Sequence, residues 1–369
     1  MKYYIIAGEA SGDLHGSNLM KALKQHDSEA QFQYFGGDLM KAEGGNLKMH
    51  YSEMAFMGFI EVIANLGTVL KNIKFAKKDI LENKPDVLVL IDFPGFNLKI
   101  ADFAKKQGIP VFYYISPKVW AWNQKRVLKI KKIVDHMFCI LPFEVDFYRS
   151  WGMEVDYVGN PILDAIESNS PDLQFRITNR LDERPLIALL PGSRRQELDK
   201  VLPEMLKTVD RFPDCQFAIA GAPSFSEKDY QQYLGGKKIR VIFNATYNLL
   251  LNSEAAVVTS GTATLETALL KIPQAVVYKG NRISISIARL LVNIKYISLV
   301  NLVMDDIVVK ELIQEDCSGE KIGDELDLIL NNQSYRARMM QNYDQLAVRM
   351  GTAGASLRAA ELMIKYLNC

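Results

Sequence analysis

The sequence predicts an α/β protein with two parallel-sheet domains, each sheet being covered by helices. Short apolar runs rich in β-branched residues alternate with longer amphipathic stretches. The runs lack the in-and-out alternation of half-exposed strands, which is typical of strands buried on both faces of a parallel sheet. The series occurs twice along 369 residues, a length that fits about two domains.

The strand candidates fall into two groups. The first group is residues 3–7, 87–91, 111–115 and 137–141. The second group is residues 186–190, 217–220, 240–243, 255–259 and 274–278. A helical pattern follows each run, so we expect two Rossmann-like units in tandem. A polar stretch over residues 167–184 indicates a linker and a short helix between them, and residues 334–367 have the spacing of one or two closing helices.

Composition excludes several classes of protein. Lys and Arg (44) nearly balance Asp and Glu (43), which gives no global attraction to nucleic acid or to anionic membranes. The first apolar run is too short for a signal peptide, so a cytoplasmic location is expected, and no run approaches the ~18 residues of a membrane span. Scattered cysteines and histidines and the lack of a D-x-D pair predict neither disulfides nor a bound metal.

Two turns of the first half carry candidate chemistry. Residues 8–16 read Gly-Glu-Ala-Ser-Gly-Asp-Leu-His-Gly after the first strand, which suits a polar ligand at a helix N-terminus; the alternative is a tight turn with Ser11 or Asp13 as helix cap. Asp92 ends a wholly apolar strand, where ligands of open α/β sheets bind. It is a candidate general base, and the alternative is a turn or cap aspartate.

A third turn, residues 116–122, contains Trp120 and Trp122, which core or interface packing also explains. The basic run over residues 125–132 places cations on more than one helical face. No recognised module or aromatic platform accompanies this charge, so nucleic-acid binding is not expected.

The second half offers two candidate anion sites. Gly192 and Ser193 can expose backbone donors beside Arg194, a combination suited to a diphosphate, although the spacing is not that of a Walker motif. Residues 259–266 place hydroxyls at a second strand-to-helix junction, and Glu266 lies one turn into that helix. A carboxylate there can pair with two ribose hydroxyls, so the two turns together favour a nucleoside diphosphate.

Residues 54–78 are dense in large apolar side chains and end in lysines. This pattern suits a surface that dips into a lipid interface. It equally suits a buried helix with a cationic last turn.

These blocks, in this order, resemble those of the lipid-A-disaccharide synthase family. The members of this family are inverting glycosyltransferases of GT-B architecture. The resemblance covers nearly the whole chain, through residues 8–13, residues 57–62, Asp92 with Phe96 and Asn97, residues 116–122, 191–194 and 260–266, and Asn301 followed by residues 309–312. Seven blocks in one order are far more specific than any one of them. Leu14-His15 and residues 278–280 depart from the family pattern, which leaves the acceptor contacts and acyl-chain preference open.

The resemblance implies the fold and the reaction. The family joins UDP-2,3-diacylglucosamine to 2,3-diacylglucosamine 1-phosphate (lipid X), giving the β-1,6-linked lipid A disaccharide 1-phosphate and UDP. An interdomain cleft would separate residues 1–166, the acceptor and membrane-facing domain, from residues 167–349, the UDP-sugar domain. C-terminal helices would pack back on the first domain, with residues 350–369 joined to it. The UDP-sugar is a substrate, and no cofactor or metal is implied.

The resemblance also assigns residues. Asp92 would be the catalytic base and His15 a helper. The donor site would comprise Gly192, Ser193, Arg194, Ser260, Gly261, Thr262, Ala263, Glu266, Tyr278, Asn301 and Glu311. The acceptor side would comprise Glu9, Ser11, Gly12 and Trp120, and the contact with the inner membrane would comprise Phe59, Ile63, Leu66 and Leu70.

Two alternatives remain beside this interpretation. One is another UDP-sugar enzyme of the same fold, such as a UDP-N-acetylglucosamine epimerase or a transferase with a different lipid-linked acceptor. The other is a nucleotide-sugar sensor without turnover. The oligomeric state is open, with a homodimer as one candidate.

Overall fold

The computed structural model describes residues 1–54, 66–280 and 295–368. The chain forms two compact units, Met1–Asp164 with Thr352–Cys369, and Ala165–Gly351. The sequence placed the two divisions near residues 166 and 350. Among the helices of the described residues, none is long and apolar enough to cross a bilayer.

The first unit is built on a seven-stranded sheet in the order β3-β2-β1-β4-β5-β6-β7, in which neighbouring strands are parallel. The strands are β1 Lys2–Ala7, β2 Gln31–Gly36, β3 Asn46–His50, β4 Val87–Ile91, β5 Val111–Tyr114, β6 His136–Cys139 and β7 Asp156–Tyr157. In register, Ala7 pairs with Ile91 and Ile91 with Tyr114. The carboxyl ends of the three central strands therefore lie side by side.

Helices cover both faces of this sheet. They are α1 Ala10–His26, α2 Asp38–Ala42, α3 Leu66–Asn83, α4 Pro94–Lys106, α5 Val119–Trp122, α6 Val127–Ile133, α7 Pro142–Ser150 and α8 Pro161–Ser168, the last of which contains the division between the units. Tyr4 and Ile6 belong to the core on one face, and Tyr3 and Ile5 to the core on the other. Both faces of β1 are buried, as its unbroken apolar run predicts.

The last helix of the chain, Ala355–Leu367, completes the core of the first unit. Its Ala359, Ala360 and Met363 pack with Leu19 and Leu23 of α1. This agrees with the expectation that the C-terminus returns to the N-terminal domain. The preceding helix, Gln333–Met350, belongs to the second unit instead.

Hydrogen bonds fix the point at which the chain re-enters the first unit. The Asp164 carboxylate accepts from the backbone N–H groups of Gly354 and Ala355, and the Arg358 guanidinium donates to the Val158 carbonyl at 2.8 Å. The segment that leaves the unit is therefore bonded directly to the segment that returns.

The second unit has a six-stranded sheet in the order β10-β9-β8-β11-β12-β13, again with parallel neighbours. The strands are β8 Leu186–Leu190, β9 Gln216–Gly221, β10 Arg240–Phe243, β11 Ala255–Thr259, β12 Gln274–Tyr278 and β13 Glu311–Ile313. Pairing of Leu190 with Val258, and of Thr259 with Val277, aligns the carboxyl ends of the central strands.

The helices of the second unit follow its strands. They are α9 Phe175–Thr178, α10 Arg195–Lys207, α11 Glu227–Leu234, α12 Thr246–Leu251, α13 Thr262–Leu269, α14 Leu299–Met304, α15 Gly319–Asn331 and α16 Gln333–Met350; the last helix of the chain is α17. The sequence did not predict strands β2, β3, β7 and β13. Strand β2 alternates polar and apolar residues near one side of its sheet, and β7 and β13 have only two and three residues, so none of them forms a continuous apolar run.

Candidate functional site

Three turns of the first unit meet at one edge of its sheet. Residues 8–9 follow β1, Asp92 and Phe93 follow β4, and residues 115–118 follow β5. These three strands are adjacent and in register. The turns that the sequence singled out separately are therefore neighbours in space, as the rule for open α/β sheets predicts.

The backbone at this edge is strained. Asp92, Phe93 and Ile115 have φ of 41°, 48° and 65°, in the left-handed region that residues with a Cβ rarely adopt. Each such residue costs about 1–3 kcal/mol and persists only when its surroundings enforce it. Such residues cluster at functional sites, so their presence supports a role for this edge beyond folding.

Two side chains hold the strained turn. The Tyr113 hydroxyl donates to the Asp92 carbonyl at 2.5 Å, and the Asn97 amide donates to the same carbonyl at 2.8 Å and to the Ile91 carbonyl at 3.2 Å. Asn97 is fully buried. Because these bonds use the Asp92 carbonyl, they fix the backbone while leaving the carboxylate to other partners.

The environment of Asp92 favours proton transfer. Burial raises the pKa of its carboxyl group above the usual range, the Lys118 ammonium lowers it, and the charge of Glu9 raises it again. A carboxylate whose pKa moves towards neutrality is a better general base than an ordinary aspartate.

The turn after β1 contains some residues that are exposed and others that are buried and hold the fold. Glu9 and Ser11 are exposed, whereas Gly12 is buried against Ala7. Asp13 is buried and accepts hydrogen bonds from the backbone N–H groups of Gly37, Leu39 and Met40 at 2.7–3.1 Å. The alternative that Ser11 or Asp13 caps α1 is wrong, because Glu9 occupies the cap position and Asp13 binds the start of α2.

His15 is half-buried, and its Nδ1 is buried without a hydrogen-bond partner. Burial lowers its pKa to about 4, with the charge of Asp164 opposing the shift. The imidazole is therefore neutral at neutral pH, which argues against its acting as a proton donor there.

Trp120 is 8% exposed, and its indole N–H donates to Glu144 at 3.1 Å. Trp122 is the exposed tryptophan of the pair, with the Arg126 guanidinium over its ring. The packing alternative thus describes Trp120 better than a polar contact with a substrate does. Sequence reasoning missed Glu144, although a carboxylate three residues after the start of a helix is a recognisable cap signal.

The proposed membrane segment is described only in part. Phe59 and Ile63 lie outside the described residues, and Leu66 begins α3. Leu70 is 54% exposed. The exposed positions that follow on α3 are Lys71, Lys74, Phe75, Lys78, Leu81 and Glu82, while Ile73 and Ile80 face the core. The helix therefore combines a buried face with an outer face on which apolar and cationic side chains predominate, with Glu82 near its end.

In the second unit, the turn after β8 differs from the expectation. The backbone of Gly192 and Ser193 was predicted to offer N–H donors to an anion, but the Ser193 N–H already donates to the Glu197 carboxylate at 3.0 Å, as does the Arg194 N–H at 3.1 Å. Gly192 has φ of 99°, and a Cβ there would lie 2.2 Å from Glu197 Oε2. A glycine is thus needed at position 192 for the Glu197 carboxylate to come close to this turn. That carboxylate accepts the hydrogen bonds of the two backbone N–H groups.

The Arg194 side chain remains accessible at this turn. It is 75% exposed, and its nearest carboxylate oxygen, Oε1 of Glu197, is 3.6 Å away. A guanidinium with this exposure can still form two parallel hydrogen bonds with a phosphate.

The junction after β11 presents free donors. Among the described residues, the N–H groups of Gly261, Thr262 and Ala263 have no hydrogen-bond acceptor. The Ser260 hydroxyl instead donates to the Ile297 carbonyl at 2.8 Å. The positive end of α13 is therefore available to an anion through its backbone rather than through Ser260.

Glu266 lies on α13 and accepts a hydrogen bond from the Tyr247 hydroxyl at 2.7 Å. Burial raises the pKa of its carboxyl group, and the bond from Tyr247 opposes that shift. Tyr247 comes from α12, after another strand, so nothing in the sequence near Glu266 indicated it.

Asn301 and Glu311 form a network of hydrogen bonds in the second unit. Asn301 is 1% exposed; its amide donates to Val309 and Glu311, and its oxygen accepts from Val308 and Val309. Glu311 also accepts from the N–H groups of Ile297 and Ser298. Every polar atom of the Asn301 amide is bonded inside the protein, so Asn301 holds this loop. Its predicted place in the donor site stays a prediction. Tyr278 ends β12 and is half-buried.

No group of three or more His, Cys, Asp or Glu side chains in residues 1–54, 66–280 and 295–368 is arranged to hold a metal ion. Cys139, Cys215 and Cys317 are free thiols. The expectation that no metal takes part stays a prediction.

Comparison with known proteins identifies the family. The family model for lipid-A-disaccharide synthetase matches residues 3–364. Lipid-A-disaccharide synthase of Syntrophus aciditrophicus is 40% identical over 376 residues, covering 99% of this chain and 98% of that protein. The enzyme of the same name from Trichlorobacter lovleyi is 38% identical over 371 residues, covering 99% and 97%. The chain belongs to the lipid-A-disaccharide synthase family.

Solved structures support the fold expected of this lipid-A-disaccharide synthase family member. UDP-GlcNAc 2-epimerase from Neisseria meningitidis, bound to UDP-GlcNAc, matches with a TM-score of 0.71 and 14% identity over 99% of this chain and all of the other. A glycotransferase of kitacinnamycin matches with a TM-score of 0.67 and 10% identity over 99% of each chain. At such identities the likeness concerns the fold alone, and the predicted GT-B class with two parallel-sheet domains is confirmed.

The close approach of Gly8 to Phe93 provides a test of the strained turn. A Cβ on Gly8 would lie 2.2 Å from the Phe93 ring, so Gly8→Ala should lower the free energy of unfolding by about 1–3 kcal/mol. Gly95→Ala is the matched control, because its Cβ would enter open space in the first turn of α4. Urea unfolding measures both free energies. Equal midpoints for the two variants would show that the turn accommodates the extra Cβ without strain, which would contradict the prediction.

Proposed function

We propose that the chain transfers the diacylglucosaminyl group of UDP-2,3-diacylglucosamine to the 6-hydroxyl of lipid X, with inversion at the anomeric carbon. The products are the β-1,6-linked lipid A disaccharide 1-phosphate and UDP. Family membership over almost the whole chain supports the reaction. The observation that carries the chemistry is Asp92, a half-buried carboxylate with a raised pKa on a strained turn at the carboxyl edge of the first sheet.

Asp92 acts as the general base. Its carboxylate takes the proton of the acceptor 6-hydroxyl while that oxygen bonds to the anomeric carbon. The bond from the anomeric carbon to the diphosphate breaks on the opposite side, and UDP leaves with the electron pair. Tyr113 and Asn97 contribute by holding the Asp92 backbone through its carbonyl, which limits reorganisation during the transfer.

The second unit binds the donor. The Arg194 guanidinium and the N–H groups of Gly261, Thr262 and Ala263 stabilise the negative charge that develops on the leaving UDP. Glu266, oriented by the bond from Tyr247, accepts hydrogen bonds from the ribose hydroxyls. This division of roles needs no metal ion, in keeping with the lack of a D-x-D pair in the sequence.

The acceptor contacts are assigned to the first unit. Glu9 and Ser11 are exposed beside Asp92 at the turn after β1, where they can bind hydroxyl or amide groups of a sugar. Gly12 lets α1 approach β1 closely, because a Cβ added at this position would lie only 3.1 Å from the Cβ of Ala7.

Both substrates are acylated, so we also propose that the outer face of α3 rests on the inner membrane from the cytoplasmic side, where lipid substrates lie.

Turnover separates this proposal from its alternatives. Incubation of the whole chain with the diacylated donor and acceptor should release UDP in proportion to the disaccharide formed. A sensor would bind the donor and release nothing. An epimerase would change the donor in the absence of any acceptor.

Asp92→Asn keeps the shape of the side chain but removes the base. We expect turnover to fall by roughly 10² to 10⁴, with UDP affinity near that of the unmodified chain. In the unmodified enzyme, activity should fall as the pH drops through the raised pKa of Asp92, because protonation removes the acceptor for the proton. Asp102→Asn is the control, since Asp102 lies on α4 and pairs with Lys106. Near-normal turnover of Asp92→Asn would refute the assignment.

Arg194→Ala should weaken UDP binding by about 10- to 100-fold, the equivalent of about 1.5–3 kcal/mol for a hydrogen bond to a charged group. Arg195→Ala removes the neighbouring guanidinium, which pairs with Asp229 and stacks on Phe225, and should leave UDP affinity unchanged. Isothermal titration calorimetry measures both. Equal effects of the two substitutions would mean that only general charge matters.

Leu70→Ser should weaken binding to vesicles of phosphatidylethanolamine and phosphatidylglycerol by about 10-fold, since burying one leucine contributes about 1.5–3 kcal/mol. Leu128→Ser is a close control, because Leu128 is also 54% exposed but lies on α6. Co-sedimentation measures the binding, and added salt should weaken it further by screening Lys71 and Lys74. The membrane assignment fails if both variants bind like the unmodified chain.

A further inference from the structure

Glu144 is a buried carboxyl group with an unusual number of partners. It is 1% exposed. Oε1 accepts from the Ser116 hydroxyl at 2.5 Å and from the Trp120 indole N–H at 3.1 Å, and Oε2 accepts from the Leu141 backbone N–H at 3.1 Å. A buried carboxyl group with one partner removed is costly, so these bonds hold their donors firmly.

The donors on Glu144 Oε1 are the two ends of one turn. Ser116 and Trp120 flank Lys118, which follows β5. The Tyr148 hydroxyl, on the same helix as Glu144, donates to the Pro117 carbonyl at 3.4 Å. Helix α7 therefore fixes the turn on both sides of Lys118.

Lys118 is the exposed residue of this otherwise buried turn. The charge of its ammonium lowers the pKa of the Asp92 carboxyl group, which burial and the charge of Glu9 raise. The Asp92 backbone N–H donates to the carbonyl of Tyr114, the last residue of β5, at 3.2 Å, so the two turns are neighbours. Strand β5, which leads into the turn, pairs directly with β4, which leads into Asp92. Any shift of the turn would change the distance between the two charges, to which their interaction is sensitive.

We propose that Glu144 is a positioning residue, which holds the turn of residues 116–120 so that the Lys118 ammonium keeps its position relative to the Asp92 carboxylate. The inference rests on the proposed function, in which Asp92 is the base. In addition, Glu144 would influence the pKa of Asp92 through the position of Lys118, without itself contacting the reacting groups.

Other charged and titratable groups face this arrangement. The charge of Glu144 acts on Cys139, Tyr148 and Tyr157, and Asp92 interacts electrostatically with Glu9 and Tyr113. Burial raises the pKa of Glu144 to about 7, against the bonds from Ser116, Leu141 and Trp120. Lys118 is the residue that contributes a positive charge to the balance at Asp92.

The test compares Glu144→Gln, Lys118→Met and the double variant in the full chain, through the pH dependence of kcat/KM for UDP release. Lys118→Met should move the acid limb to higher pH, because it removes the charge that lowers the pKa of Asp92. Glu144→Gln should move it the same way, because the amide cannot accept from Leu141 while keeping both other bonds. The double variant should move it no further than Lys118→Met alone.

Asp146→Asn is the matched control, since Asp146 is exposed on α7 and pairs with Arg149. It should leave the acid limb in place. Ser116→Ala removes a single bond to Glu144 and should shift the limb in the same direction as Glu144→Gln, which keeps the proposal testable if the latter misfolds. An unmoved limb in both folded variants, or additive shifts in the double variant, would overturn the proposal.

A second readout needs no turnover. Lysines labelled by reductive ¹³C-methylation give NMR signals, and the Lys118 signal is identified by its loss in Lys118→Met. That signal should move in Glu144→Gln and stay in place in Asp146→Asn. If it moves while Asp92→Asn keeps near-normal turnover, the proposed base is wrong but the positioning is right; if it does not move, the positioning is wrong.

Discussion

Parallel pairing of strands buried on both faces is the constraint from which both candidate sites follow. Such strands offer neither face to a ligand, so polar chemistry is confined to the turns at their ends. In the first unit the register places Ala7, Ile91 and Tyr114 side by side, and in the second it aligns Leu190, Val258 and Val276 through β11. Residues distant in sequence become neighbours because the hydrogen bonds of the sheets fix where each turn begins.

The turns themselves depend on polar side chains, buried in the case of Asn97, Tyr113 and Asn301 and half-buried in that of Glu197, that satisfy backbone groups. Asn97 and Tyr113 bind the carbonyl of Asp92, Glu197 binds the N–H groups after β8, and Asn301 bonds at both ends of its amide. A buried polar group without a partner is costly, so each of these side chains determines one backbone conformation. The accessible groups, such as Arg194, are then presented from a rigid base.

Much of this arrangement could be predicted from the sequence, and the exceptions have physical causes. Continuous apolar runs revealed the central strands, and Asp92 and Arg194 stood out because each follows such a run. Strands β2 and β3 are partly polar and lie towards one side of the sheet, so no such run marked them. Tyr247 was missed because its partner, Glu266, lies on another helix, which spacing along the chain does not reveal. Glu144 and Glu197 accept from backbone N–H groups three or four residues earlier, a spacing typical of helix caps that the sequence does contain.

The path of the chain has a consequence for biosynthesis. Asp164 is bonded to Gly354 and Ala355, and α17 closes the core beside α1. The second unit is thus an insertion into the first, with both of its connections bonded together. On the ribosome the second unit can finish folding first, whereas the first must wait for the last helix to be made. Loss of that C-terminal helix would therefore expose the core of the N-terminal sheet.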